Sequence, residues 1–297
     1  MVNDTNQVPA VQPQGGSVVP AAALAKLSQS KFKDTFAAKD LMLPWFGIVQ
    51  STSDVMKANK PSYNREAREG DLIDTLTQRL RATQTVILVK YEVHYTTWKP
   101  KGGPLVKQWF TDRSAYDAAS FQDGRDFGDK IDADGNVVRE TPTYYILMVD
   151  TNTGSADVAT MAWGSTQAKK TRRLNTLARA DLQGPDGLPF TPPLYARLFD
   201  LSTRGEQNSE GKAYSGWVFS VGDVVLAHPK FGEMWHAKAE AFREQIELGN
   251  VRPAPPQDAE PVDDTGRAER ARNVGGAEVI VDGARQGGQD IDAEIPF

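Results

Sequence analysis

The sequence predicts a mainly β fold, an antiparallel barrel or sandwich with two helices late in the chain. Three observations support this prediction. Apolar and polar residues alternate along several segments, as they do in half-buried strands. Long polar loops separate these short segments, which suits antiparallel β architecture. All six tryptophans lie between residues 45 and 235 of the 297-residue chain, so the part able to form a core spans about residues 31–248.

The first half of this part contains one strong hairpin pattern. The apolar run 41–46 is predicted to be core, and residues 52–70 are predicted to be irregular. A strand follows from about Thr85 to Trp98, with Ile87, Val89, Tyr91, Val93 and Tyr95 on one face and Lys90, Glu92, His94 and Trp98 on the other. A Pro/Gly-rich turn at 100–104 leads to a returning strand at 105–111. Residues 112–140 are predicted to be a long loop.

The second half combines strands with the two helices. Strands are predicted at 143–150 and 157–163, and a helix runs from Ser165 or Thr166 to about Leu182. Two more strands, 194–201 and 212–221, flank a polar loop at 202–211. A last helix is predicted over 230–248.

Both ends of the chain have compositions that oppose folding. Residues 1–30 form a low-complexity segment with almost no charge, and residues 249–289 contain no aromatic residue. Such segments bury too little apolar surface to offset the entropy of ordering, so both are predicted to be disordered arms. Residues 249–297 hold ten carboxylates and five arginines, which accounts for the whole net charge of −5. The neutral remainder needs local basic clusters to bind nucleic acid.

The composition argues against an enzyme, a metal site or a membrane protein. The absence of cysteine excludes disulfides, thiolate metal sites and cysteine nucleophiles. Gly205–Lys212 lacks phosphate-loop spacing, and the three histidines lack metalloprotease spacing. There is no signal-peptide pattern and no apolar run of 18 residues. We therefore expect a non-enzymatic protein without cofactor or metal.

The chain ends in a short acidic segment with an apolar tip. Residues 290–297 read Asp-Ile-Asp-Ala-Glu-Ile-Pro-Phe. Pro296 restricts the backbone, so the Phe297 ring and the terminal carboxylate can enter a shallow apolar pocket rimmed by basic groups. We call residues 290–297 the tip. The predicted partner-binding residues within it are Asp290, Asp292, Glu294, Ile295, Pro296 and Phe297.

This tip resembles the C-terminal end of bacterial and phage single-stranded-DNA-binding proteins. The resemblance implies an OB-like antiparallel barrel with elaborations over residues 31–248, which binds single-stranded DNA in replication or recombination. It also implies that the tip recruits partner enzymes. The folded part is about twice the length of one OB domain, which favours a divergent phage protein acting in the cytoplasm of a bacterial host. A homo-oligomer is compatible with this interpretation.

Three places combine the residue types that bind single strands, which stack bases on aromatic rings and hold phosphates with basic groups. The first is the predicted hairpin: Lys90, His94, Trp98, Lys99, Lys101, Lys107 and Trp109. The second is the basic cluster of the predicted helix: Lys169, Lys170, Arg172 and Arg173. The third is Lys212, Tyr214 and Trp217. The alternative is that the tryptophans are core and the basic groups solvated, which would suit a structural or scaffolding phage protein with an incidental acidic tail.

Overall fold

A curled antiparallel sheet of eight strands forms the body of the protein in a computed structural model. The structure describes residues 43–100, 103, 105–121, 129–163, 167–207, 211–251 and 253, all in one compact unit. The predicted arm 1–30, most of the predicted linker 249–289 and the tip 290–297 lie outside the described residues.

The described elements, in chain order, begin with three short strands. These are β1 (Phe46–Ile48), β2 (Leu72–Asp74) and β3 (Leu80–Arg81), with a 3-10 turn at Asp54–Met56 between the first two. The elements of the middle part are β4 (Gln84–Trp98), β5 (Leu105–Phe110), α1 (Ser114–Ala118), β6 (Ser120–Phe121), β7 (Lys130–Ile131), β8 (Val137–Val149) and β9 (Ala156–Ala162). The last part contains α2 (Ala168–Ala178), β10 (Leu182–Gln183), β11 (Pro189–Phe190), β12 (Arg197–Gln207), β13 (Ala213–Val224) and α3 (Gly232–Glu247).

The large sheet has the strand order β13-β12-β4-β8-β7-β6, with β5 added to β4 and β9 added to β8. It curls into a half-barrel with few helices, which confirms the predicted mainly β antiparallel architecture. Among the described strands, β13 pairs only with β12, so β13 is an edge of the sheet. Strands β1, β2 and β3 form a separate small antiparallel sheet.

Apolar clusters cover both faces of the large sheet. One cluster joins β4, β8 and β9 to α2 and the small sheet, through residues such as Trp163, Leu174 and Trp217. The other joins β4 and β8 to α3, whose Trp235 and Phe242 are buried. Since both faces are buried, β4 and β8 carry nearly continuous apolar runs in the middle.

A β-bulge in β4 changes which residues face each cluster. The pairing of β4 with β8 shifts register between Leu88 and Lys90, so Val89 is an extra residue. Ile87 and Val89 consequently pack toward α3, while Tyr91 packs toward the opposite cluster. The prediction that the odd-numbered apolar residues of β4 share one face is therefore wrong, because a bulge interrupts the alternation.

Two predicted loops contain regular structure. Residues 112–140 include α1, β6, β7 and the first part of β8. Strand β12 continues to Gln207, which pairs with Ala213, so most of the predicted loop 202–211 is strand. The end of the β12–β13 hairpin was predicted to be a loop because its residues are mostly polar, as loop residues are. None of the described helices has the length and apolar character needed to cross a membrane.

Candidate nucleic-acid interface

The predicted DNA-binding residues lie on both sides of the large sheet, and three of them, His94, Trp98 and Trp217, are buried. Lys90 and His94 face α3, because the His94 ring meets the Tyr145 ring edge-on at 6.3 Å and Tyr145 belongs to the cluster beneath α3. Lys170 belongs to α2, which packs on the opposite face of the sheet. Lys101 lies outside the described residues, as do the side chains of Trp109 and Lys169.

The β4–β5 hairpin holds its tryptophan inside the protein. The Trp98 side chain is buried, with 8% of the residue exposed, and its Nε1 donates a hydrogen bond of 2.9 Å to Thr96 Oγ1. Lys99 and Lys107 are exposed, and Lys107 stands opposite Thr97 in the strand pair. The hairpin therefore offers basic groups, while the Trp98 ring has little surface for stacking a base.

Lys90 and His94 are both engaged with one carboxylate. Lys90 Nζ lies 2.8 Å from Glu92 Oε1, and His94 Nε2 lies 3.2 Å from Glu92 Oε2. The Tyr145 hydroxyl donates a hydrogen bond of 3.3 Å to the same Oε2 atom, and Gln108 Nε2 lies 3.4 Å from His94 Nδ1. His94 is buried. These contacts form an internal polar network at the edge of the α3 cluster.

The Glu92 carboxylate is strongly stabilised in its ionised form. Its hydrogen bond with His94 lowers the pKa most, burial opposes the change, and Lys90 lowers the pKa further. The resulting pKa of Glu92 is about 2. Because Lys90 already forms an ion pair with Glu92, its positive charge attracts a phosphate group less strongly.

A second polar network joins α2 to the β12–β13 hairpin. Lys170 Nζ donates hydrogen bonds to Glu206 Oε1 at 2.6 Å and to the Trp217 carbonyl at 2.9 Å. Arg204 Nε reaches the same Glu206 oxygen at 2.9 Å. The Tyr214 hydroxyl donates to Glu206 Oε2 at 3.0 Å. Lys170 and Tyr214, both predicted DNA contacts, thus hold the edge of the sheet together.

The protonation states in this network follow from burial and charge. Burial alone would raise the pKa of Glu206, but the hydrogen bonds from Lys170, Arg204 and Tyr214 together lower it. Burial, and then the neighbouring carboxylate, raise the pKa of Tyr214 to about 12. A neutral phenol and two cations therefore surround one carboxylate near neutral pH.

Trp217 fills the core rather than the surface. It is 4% exposed, and its ring stacks on Trp163 with centroids 5.8 Å apart and an interplanar angle of 12°. The next residue on the same side of β13 is Phe219, which is half-buried and lies 5.8 Å from Trp163. The Arg173 guanidinium lies 5.9 Å from the centre of the Phe219 ring.

Lys170 of α2 contacts Glu206, and Arg173 of the same helix contacts Phe219, although the strand register places Glu206 and Phe219 on opposite faces of the β12–β13 hairpin. We call the residues around this edge of the sheet the α2–β13 surface: Lys170, Arg172, Arg173, Arg204, Glu206 and Phe219. Arg172, Arg173 and Arg204 are exposed, so the region combines four basic groups, one carboxylate and one accessible aromatic ring. Phe219 was not among the DNA-binding residues predicted from the sequence. The signal was present, because Phe219 follows Trp217 with the spacing of two that places both on one face of a strand.

The described residues contain no group of three or more His, Asp or Glu side chains arranged to hold a metal ion. The arrangement of the α2–β13 surface suits electrostatic contact and stacking. Guanidinium groups can hold phosphates, and a ring beside an arginine can take a base.

Comparison with known proteins gives a single informative result. No curated protein and no solved structure matches the chain. Residues 14–252 match the family described as Pam3 phage gp34-like protein. This match covers the three helices and every strand described above, as well as most of the 297 residues. The chain therefore belongs to the Pam3 phage gp34-like protein family.

Proposed function

We propose that this phage-family protein binds single-stranded DNA with little sequence preference and recruits replication or recombination enzymes through its tip. The observation that carries the proposal is the acidic ending that closes on Ile295, Pro296 and Phe297. A segment of this composition at a chain terminus suits a pocket that takes an aromatic ring and a carboxylate.

The α2–β13 surface supports the DNA-binding half of the proposal. Arg172 and Arg173 follow one another on α2 and are exposed, so phosphates can approach both. The Phe219 ring lies beside Arg173 and offers a place for one base. Stacking on such a ring contributes on the order of 1–3 kcal/mol per base and tolerates any base. Binding of this kind should depend strongly on salt.

The contacts of Lys170 also favour a role for the network beneath this surface. Because Lys170 bonds both to Glu206 of β12 and to the Trp217 carbonyl of β13, the network fixes α2 against the β12–β13 hairpin. The exposed arginines of α2 are then held in a defined position relative to Phe219. Positioning of this kind reduces the entropy lost when a strand binds.

A structural or scaffolding role is the second candidate. The specific observation that favours it is the burial of Trp98 and Trp217, two of the rings predicted to stack on bases. In that case the β-rich body would serve assembly, and the acidic tail would be incidental. The two candidates differ in one measurable property, which is affinity for nucleic acid.

Fluorescence anisotropy with labelled single-stranded DNA, duplex DNA and RNA of equal length tests the proposal. We expect single-stranded DNA to bind most tightly, with an affinity that falls steeply as salt rises. The Arg172→Gln/Arg173→Gln variant should bind more weakly than an Arg113→Gln/Arg243→Gln control, which removes the same charge from arginines paired with Asp117 and Glu247. Equal affinity for duplex, or no binding near physiological salt, would favour the scaffolding role.

A further inference from the structure

An open groove of about 740 Å³ lies beside the small sheet. Three arginines line it: Arg65 and Arg68 from the turns before β2, and Arg81 at the end of β3. Glu66 and Asp71 also line the groove. These arginines were not predicted to form a site, because polar, irregular segments separate them along the chain.

The groove holds more positive charge than its own carboxylates neutralise. Among the described residues, none of the three guanidinium groups forms an ion pair. One oxygen of Asp71 is occupied by the backbone N–H of Arg68, at 2.8 Å. Arg65 and Arg68 are exposed, so a ligand from solvent can reach them.

Arg81 stands out because it is half-buried with weak local partners. Its Nη1 lies 3.5 Å from the sulfur of Met148, which is a poor acceptor. Burial, and then repulsion from Arg79, lower the pKa of Arg81, and attraction to Asp74, Asp157 and Asp150 does not reverse this. A bound anion would relieve both effects.

The walls of the groove are fixed by packing and by hydrogen bonds. Ala67 is buried with Val49 and Val55, and Leu80 packs against the same small cluster. Thr203 Oγ1 of β12 donates a hydrogen bond of 2.5 Å to the Gly70 carbonyl, which holds the segment to the large sheet. Packing and hydrogen bonding therefore hold in place the segment that carries Arg65 and Arg68.

We propose that this arginine groove, formed by Arg65, Arg68 and Arg81, is a phosphate-binding site that holds the backbone of the bound nucleic acid. That the phosphate belongs to nucleic acid rests on the proposed function. Guanidinium groups recognise phosphate oxygens by paired, charge-assisted hydrogen bonds, and two exposed arginines beside a half-buried third suit this geometry. The groove would act in addition to the α2–β13 surface.

The test compares the Arg65→Gln/Arg68→Gln variant with wild type and with the Arg113→Gln/Arg243→Gln control. All substituted arginines are on the surface, and both variants lose two positive charges. Affinity for a labelled oligothymidylate is measured as salt is varied. Each phosphate contact contributes about 0.7 to the slope of log affinity against log salt for single strands, so we expect a slope reduced by about 1.4 and affinity lowered on the order of tenfold near 0.1 M salt.

A second experiment tests the phosphate site independently of nucleic acid, by measuring the unfolding temperature of each protein with and without pyrophosphate. If the groove variant binds oligothymidylate as the control does, the inference is overturned while single-strand binding by wild type stands. If wild type binds no oligonucleotide, the proposed function and the nucleic-acid assignment fall together. A phosphate site would still be supported if pyrophosphate raises the unfolding temperature of wild type and control but not of the groove variant. Equal effects on all three proteins would overturn the site.

Discussion

The Glu206 side chain lies across Gly216 of the neighbouring strand, at the place where a Cβ atom on that glycine would stand. Lys170 Nζ lies 2.8 Å from the same Cβ position. Since the carboxylate is the flexible end of its side chain, Gly216→Ala should displace Glu206 and weaken its bonds to Lys170 and Tyr214. We expect a loss of about 1–3 kcal/mol in the free energy of unfolding, the usual cost of leaving buried polar groups without partners.

Urea denaturation measures this loss, with Gly205→Ala as the control. Gly205 is on the partner strand and a Cβ there has nothing within 4 Å. That variant should be neutral or slightly stabilising, because alanine restricts the unfolded chain. Equal stability of the two variants would show that the Lys170–Glu206 network does not depend on the glycine.

The network around Glu92 should make stability depend on acid pH. The folded-state pKa of Glu92, about 2, lies below the ordinary value of 4.5. The carboxylate therefore stabilises the fold fully above about pH 4.5, and this contribution disappears as the pH falls toward 2. The difference in pKa corresponds to at most about 3 kcal/mol.

The measurement is the free energy of unfolding of wild type and Glu92→Gln at pH 7 and at several values between pH 4.5 and 2. The difference in the free energy of unfolding between the two proteins should be largest at pH 7 and should shrink as the pH falls from 4.5 to 2. Glu247→Gln is the control, since this carboxylate pairs with Arg243 in solvent and its side chain is 49% exposed. A gap that stays constant with pH would mean that the Glu92 charge contributes little.

Trp98→Ala should act on stability. Because the ring is buried and its Nε1 bonds to Thr96, the substitution should cost about 3–5 kcal/mol in the free energy of unfolding. Trp98→Phe should cost less, since it retains most of the ring volume. A Trp98→Ala protein of normal stability that binds single-stranded DNA poorly would instead identify Trp98 as a stacking residue.

Deleting Asp290–Phe297 should strengthen DNA binding modestly. If residues 249–289 form the predicted disordered linker, the tip with its three carboxylate side chains reaches basic patches of the body at an effective concentration near millimolar. If its affinity for the patch is also near millimolar, the tail occupies the patch about half the time, and its removal gains about twofold in affinity at low salt. The gain should vanish at high salt. An unchanged affinity at low salt would show that the tail does not compete.

Removing Phe297 alone should separate the two roles of the tail. In the proposed function the ring would enter a partner pocket and the carboxylates would contact the basic patch, so partner binding should be lost and DNA affinity should hardly change. Pull-down of replication and recombination proteins from infected host cells, compared for both proteins, measures the first effect. Retention of the same partners by the truncated protein would contradict the proposed role of the tip.

Local sequence patterns predicted two of the longest elements closely. The strand Thr85–Trp98 and the helix at 230–248 are found as β4 and α3, because each carries an apolar pattern long enough to identify its period. Strands β1, β2 and β3 were missed, since two or three residues are too few for any period. The Val89 bulge was missed because its cause lies in the pairing with β8.

The candidate site was predicted by residue type, but its arrangement required the fold. Lys170 was predicted as a DNA contact because it lies in the densest basic cluster of the chain. Its actual partner, Glu206, is 36 residues further along the sequence. No local sequence pattern predicts a contact between residues so far apart in the chain. For the same reason Arg65 and Arg81, which line one groove, could not be grouped from the sequence.

The central position of β4 also governs how the protein can fold during synthesis. Leu198 of β12 pairs with Ile87 of β4, more than a hundred residues earlier. At about 5–20 residues per second, the ribosome supplies β12 roughly 5–20 s after β4 has been made. During that interval the N-terminal end of β4, residues 84–87, lacks its β12 partner, although β5 can already pair with the other end of the strand. Pairings of such long range form slowly. A nascent chain that stops before Arg197 therefore exposes an apolar strand edge to host chaperones and to other nascent copies.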